Sequence, residues 1–298
     1  MPETAVFQGL SWNPLDDLQR LFSYPFMVNA LEAGTIVAVL AGITGWFMVL
    51  RQQTFAGHTL SLVGFPGAAA ASLAGLPLAA GYFGFCALGA LALSAIGGSR
   101  GSLSAESAAI GSVQALALAL GFLFVSLYHG LLTGLDALLF GAFLGITQEQ
   151  VLTLLAVAVV ALLLVALAAR PLLFASVDPD VARASGVPVG PLGLGFLLVL
   201  GLSVAETAQI TGALLVFALL VTPAATAREL TLRPVFGIGL SVAFALAVIW
   251  LGLALAYFSA YPVGFYVTSL SFGLYVLARV ARAVARRPTG PRIELEPV

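Results

Sequence analysis

The chain has 298 residues, of which 61% are hydrophobic and only 8% charged, with a mean hydropathy of +1.09 and a formal net charge of −1. A soluble domain carries about 25% charged residues, so this composition requires lipid as the solvent for most of the surface. The charge balance leaves no basic surface for nucleic acid, the single cysteine (Cys86) excludes an internal disulfide or a CxxC metal site, and all twelve basic residues are arginine. Without lysine there can be no Walker lysine and no Schiff base, so an ATP-driven function would need its nucleotide on another chain.

Read in chain order, residues 1–25 have mixed polarity and no cleavable-leader pattern, and they read as a segment along the membrane surface. Unbroken apolar runs then follow at 27–50, 55–76, 78–97, 107–128, 150–170, 189–206, 210–227, 235–258 and 262–280. Each is close to the roughly 20 residues needed to cross a bilayer as a helix. A transmembrane barrel would instead show short alternating segments. The fold class expected is all-α, a polytopic bundle of eight to nine spans plus a short re-entrant or interfacial helix.

Arginine placement orients the bundle. Arg51, Arg100, Arg170, Arg183, Arg228, Arg233, Arg279, Arg282, Arg286, Arg287 and Arg292 all fall on one side of the expected spans, and only Arg20 does not. The positive-inside rule makes that side, and the C-terminus, cytoplasmic. The chain from Arg100 to Arg170 must then cross an even number of times, which the runs 107–128 and 150–170 already satisfy. Gly130 to Gly145 is therefore expected to be a re-entrant element. Its Gly130/Gly134 and Gly141/Gly145 spacings suit close helix packing. The arginine-rich tail at 285–298 is expected to lie in the cytoplasm.

One cytoplasmic insert is strongly punctuated: Asp178-Pro179-Asp180-Val181-Ala182-Arg183-Ala184-Ser185-Gly186-Val187-Pro188. An aspartate N-cap, proline in the first turn, and glycine then proline at the end are the marks of a short helix. An ordinary capped linker is the plainer alternative.

The ionisable residues near the spans have competing readings. Glu32 and His129 read as interfacial, Asp136 as a local cap, and Cys86 as a core residue. Glu206, near the expected turn with Gln209, either lines a pathway or is solvated at the interface. His58, with Ser61 three residues along the same helix, is the foremost pathway candidate.

Several of these segments together resemble the zinc/manganese-type permeases of ABC importers. They are Phe26 to Gly34, Val49 to Gly67, Asp136 to Gly141, the 178–186 insert, and Gly212 to Arg228 with its Val-Thr-Pro-Ala-Ala-Thr-Ala core. The resemblance spans residues 26–284. It implies a homodimeric permease domain in the inner (cytoplasmic) membrane, partnered by an ABC ATPase that binds ATP and by an extracellular solute-binding protein. It makes 178–186 the coupling helix, with Asp178, Pro179, Asp180, Arg183 and Gly186 at the ATPase contact. The cargo implied is a divalent metal such as zinc, manganese or iron, and the chain itself would be a transport subunit with no catalytic residues.

The family pattern departs at one place. The second span of such permeases carries Asp-x-x-x-His, a carboxylate and an imidazole four apart on one helix face that suit a transition metal. Here the positions are His58 and Leu62. Three readings stay open: the metal passes without this site, the site is rebuilt from His58 with Glu206 or Gln209, or the cargo is not a metal. A proton- or sodium-driven carrier is the alternative class, and it would need coupling carboxylates near the bilayer midplane.

Overall fold

A computed structural model describes residues 19–97, 103–128, 141, 145–213, 215–259 and 261–285. The helices delimited within the described residues are, in order, α1 (Pro25–Leu50), α2 (Thr54–Ala74), α3 (Leu78–Gly97), α4 (Leu103–Leu127), α5 (Gln148–Val177), α6 (Pro179–Ala184), α7 (Val189–Thr211), α8 (Val216–Leu230), α9 (Pro234–Tyr257) and α10 (Val263–Ala285). Seven of them, namely α1, α3, α4, α5, α7, α9 and α10, are long and apolar enough to cross a membrane. Large side chains such as Leu116, Phe122, Leu163, Leu167 and Trp250 are exposed on the outside of the bundle. Such surfaces are unstable in water and ordinary in lipid.

Two helices lie outside that set of seven for different reasons. α8 has only 15 residues. α2 has 21 and is long enough, but it is diluted by Gly57, Gly64, Gly67, His58, Ser61 and Ser72. The structure explains that dilution. Fourteen of the 21 residues of α2 are buried, because the helix is enclosed by α3, α4 and α7. A helix surrounded by protein does not need a lipid-soluble face, and small residues let its neighbours approach.

Local signals account for the helix ends. α1 and α2 are joined through Arg51–Gln53, where Gln52 takes the left-handed conformation at φ 58°. α2 ends on Gly75 at φ 70°. α5 opens on a capping box between Thr147 and Gln150 and runs for 30 residues through Pro171 to Val177. Asp178 then ends α5 and also caps α6. The sequence suggested a turn near Glu206 and Gln209, with a new span from 210. The break instead comes at Gly212, whose φ of 76° ends α7 only after Thr211. Glu206 therefore lies inside a helix.

Cross-helix hydrogen bonds gather the arginines at one end of the bundle. Arg228 donates to the Val49 carbonyl (2.7 Å), Arg51 to the Ser176 hydroxyl (3.3 Å), and Arg282 to the Glu229 carboxylate (2.5 Å). At the other end Asn29 donates to the Ile146 carbonyl (3.0 Å), Gln148 donates to Glu32 (3.4 Å), and the rings of Tyr24 and Tyr257 lie 6.1 Å apart. Aromatic side chains concentrated at a bundle end are typical of a membrane interface.

Close helix contacts also form where no GxxxG spacing pointed. α2 and α3 meet at Gly67 and Gly81, and a Cβ on either residue would collide with the other's carbonyl oxygen. Of the glycines singled out by spacing, Gly130 and Gly134 lie outside the described residues. Gly141 (φ +81°) packs on the backbone of Ile210–Gly212, whereas Gly145 has nothing within 4 Å.

Candidate functional site

His58 stands in the first turns of α2 and is half-buried. Its ring meets that of Phe217 on α8 edge-on, with centroids 5.0 Å apart. Its Nδ1 is buried without a hydrogen-bond partner. Ser61 is fully buried and donates to the His58 carbonyl at 2.7 Å. Thr59 donates to the Phe55 carbonyl (3.1 Å) and approaches the Gln114 side chain of α4 (3.4 Å). The imidazole is thus the polar group on this part of α2 with capacity to spare. Leu62, where a second ligand would stand, is a buried core residue.

Glu206 is fully buried, and neither carboxylate oxygen has a hydrogen-bond partner. That removes the interfacial reading. Its direction follows from helical geometry, at about 100° per residue. Leu197 lines a hollow with Gln53, just before α2, and Ala56 of α2. Glu206 comes nine residues later, about half a turn round, so it points away from α2. Val199 lines a second hollow with Val165, Ala168 and Leu172 of α5. Glu206 follows it by seven residues and shares its face to within about 20°. Glu206 therefore faces the α5–α7 seam, whereas His58 faces α8. Gln209 donates to the Ala205 carbonyl at 3.2 Å. With Ile210, it lines a cleft of about 600 Å³ between α3, α5 and the end of α7.

The sequence reading overlooked a run of buried hydroxyls on α7. Ser203, Thr207 and Thr211 are fully buried, and each donates to the carbonyl four residues back, at 2.9, 2.7 and 2.9 Å. Their four-residue spacing was a signal available in the sequence. Their protons are committed to the helix, so their oxygens still present lone pairs as acceptors. Among the described residues no group of three or more His, Cys, Asp or Glu could hold a metal ion. His129 and Asp136 lie outside the described residues.

At the arginine-rich end, α6 forms the expected knob. Asp178 accepts from the backbone N–H groups of Asp180 (3.1 Å) and Val181 (3.0 Å), and Gly186 closes the element at φ 85°. Ala182 is fully buried and anchors the knob, while Val177 and Val181 are exposed. Arg183 and Asp180 pair at 2.9 Å with side chains 66% and 90% exposed. A pair so exposed adds little stability, which leaves both groups free for an outside partner.

Comparison with known proteins places this architecture. The model of the ABC 3 transport family matches residues 23–282. The manganese transport system membrane protein MntC of Halalkalibacterium halodurans is 34% identical over 217 residues, covering 72% of this chain and 73% of the relative. The chelated iron transport system membrane protein YfeC of Yersinia pestis is 33% identical over 264 residues, covering 88% and 85%. Among solved structures, PsaBC from Streptococcus pneumoniae in complex with Fab superposes with a TM-score of 0.79 at 28% identity, covering 89% of this chain and 94% of that one.

Proposed function

The chain belongs to the ABC 3 transport family, and from that membership we propose that it is the permease subunit of an ATP-driven importer of manganese or iron. It is a multi-pass membrane protein and a transport subunit. The observation that carries the importer reading is α6, a capped, exposed knob at the arginine-rich end, offered by a chain with no lysine for a nucleotide site of its own.

In this reading the arginine-rich end is cytoplasmic, with the C-terminus on that side. α2 and α8 count with the seven long helices to give nine crossings, and the chain between α4 and α5 is the re-entrant element. A separate ABC ATPase binds ATP and docks on 178–186, with Asp178, Pro179 and Gly186 shaping the knob and Asp180 and Arg183 making polar contacts. An extracellular solute-binding protein delivers cargo, and two copies of the permease enclose the path. His58 and Ser61 line that path on α2, whereas Gln209 lies in the outer cleft and Glu206 faces α5, on another face of α7. The relatives named for manganese and iron transport support the metal cargo. One imidazole and oxygen donors suit manganese or iron better than a thiolate-seeking metal.

The test is elemental analysis of metal-limited cells lacking the chain against complemented cells. A selective fall in manganese or iron is expected. A fall in zinc alone would replace the cargo, and unchanged metals would remove the metal reading. In the complemented strain, His58→Ala is expected to slow metal uptake at least several-fold or change the preferred metal. Uptake unaltered in rate and selectivity would take His58 off the path.

A further inference from the structure

Glu206 stands out because a bare carboxylate inside a bilayer is among the costliest groups a membrane protein can carry. Its oxygens have no hydrogen-bond donor in the fold. Nor does a protein cation stand ready across the seam: α1 and α3 contain no basic residue, and α5 contains only Arg170, near its opposite end. Intramembrane carboxylates are ordinarily matched to a partner, and the described residues supply none.

The surroundings suit a cation arriving from outside. Gln209 and Ile210 line the cleft at the end away from the arginines, and across it stand Gln150, Thr153, Leu154 and Val157 of α5. Glu206 lies one turn deeper on α7, behind both Gln209 and Ile210. One turn deeper on α5 the buried residues are Ala158 and Ala161, whose side chains carry no polar atom to pair with the carboxylate. Ser203, three residues from Glu206 and near the same face, offers a hydroxyl oxygen whose proton is already committed.

We propose that Glu206 is the anionic ligand of an intramembrane cation position, separate from His58, that takes a hard divalent cation of the Mn²⁺ type from the outer cleft. The donor set is all oxygen: the Glu206 carboxylate, the Ser203 hydroxyl and water carried in by the ion. Such a set favours Mn²⁺ over softer metals. A single charged ligand also keeps the ion from being held too tightly to leave, as conduction requires. The position rests on the importer reading and adds to it a second stopping place, on the opposite face of α7 from α2.

The experiment titrates Mn²⁺ by electron paramagnetic resonance into the complete transporter, permease with its ATPase, in lipid nanodiscs. Wild type, Glu206→Gln, Glu206→Asp and His58→Ala are compared. Glu206→Gln keeps shape and removes charge; it is expected to weaken Mn²⁺ binding by about tenfold or more, roughly 1.4 kcal/mol or above. Glu206→Asp is expected to recover part of the affinity, and His58→Ala to leave this component in place. Unchanged binding in Glu206→Gln, or no binding in wild type, overturns the position. Manganese uptake by the same variants in cells separates the two claims. If Glu206→Gln cells import and bind manganese as wild type does, the cation position falls and the importer stands. If wild-type cells import neither manganese nor iron, the importer reading falls.

Discussion

An Arg183→Glu variant is expected to insert and fold normally while losing essentially all ATP-coupled uptake. The folding half follows from exposure. Arg183 reaches out to a pair with Asp180 that is itself open to solvent, and removing such a pair costs about 0–1 kcal/mol. A glutamate in the last turn of α6 opposes the helix dipole by about 0.3–1 kcal/mol. Neither effect touches Ala182, the buried residue that anchors the knob. The functional half follows from charge. Reversal leaves Asp180 and the new glutamate one turn apart, so a surface built to receive a mixed-sign knob would meet two like charges. Size-exclusion profile, thermal stability, ATPase stimulation and metal uptake in proteoliposomes check the two halves separately. A well-folded variant with wild-type uptake would remove α6 from the ATPase contact.

The second large effect is expected in the membrane interior. Gly67→Val is expected to prevent recovery of monodisperse protein, because the new Cβ would land on the Gly81 carbonyl and on Phe85. Overpacking that displaces only side chains costs about 1–3 kcal/mol. Here the obstacle is the backbone of α3, so the two helices must part along their contact. Gly84→Ala on the same helix α3 is the control, since a Cβ there meets nothing within 4 Å. Fluorescence-detected size exclusion of both variants reads the result. A monodisperse Gly67→Val protein with wild-type thermal stability would show that α2 and α3 separate more easily than their packing implies.

Much of the fold was legible because lipid selects for long apolar runs, and these survive as α1, α3 and α9 with ends shifted by at most two residues, while α5 continues seven residues past its expected end. The capped insert was legible for another reason: Asp178, Pro179 and Gly186 act locally, through bonds to their own neighbours. The junction of α7 and α8 was misplaced because Glu206 and Gln209 looked like interfacial polar residues. Hydropathy does not separate a polar group facing water from one sealed in a seam. The Gly67–Gly81 contact was also hidden, since which glycines meet depends on the register of two helices and not on spacing within one. For the same reason the direction of Glu206, away from α2 and toward α5, needed the assembled bundle. The departure at His58 and Leu62 was plain in the sequence, and the structure adds that the Nδ1 of His58 has no partner.

α5 runs unbroken for 30 residues, about 45 Å at 1.5 Å per residue, which exceeds the thickness of the hydrocarbon core. Its first turn holds the far end of the bundle through Gln148 and Glu32, and its last residue adjoins Asp178, which caps α6. Knob and far end of the bundle are thus two ends of one helix. The natural place for that helix to flex is Pro171, where a backbone hydrogen bond is missing. Asp178 comes seven residues after this joint, so a short arm at the arginine-rich end adjoins a long arm lying across the bilayer. Bending at Pro171 would absorb a push at α6, and a straight joint would pass it along α5 to the seam that Glu206 faces.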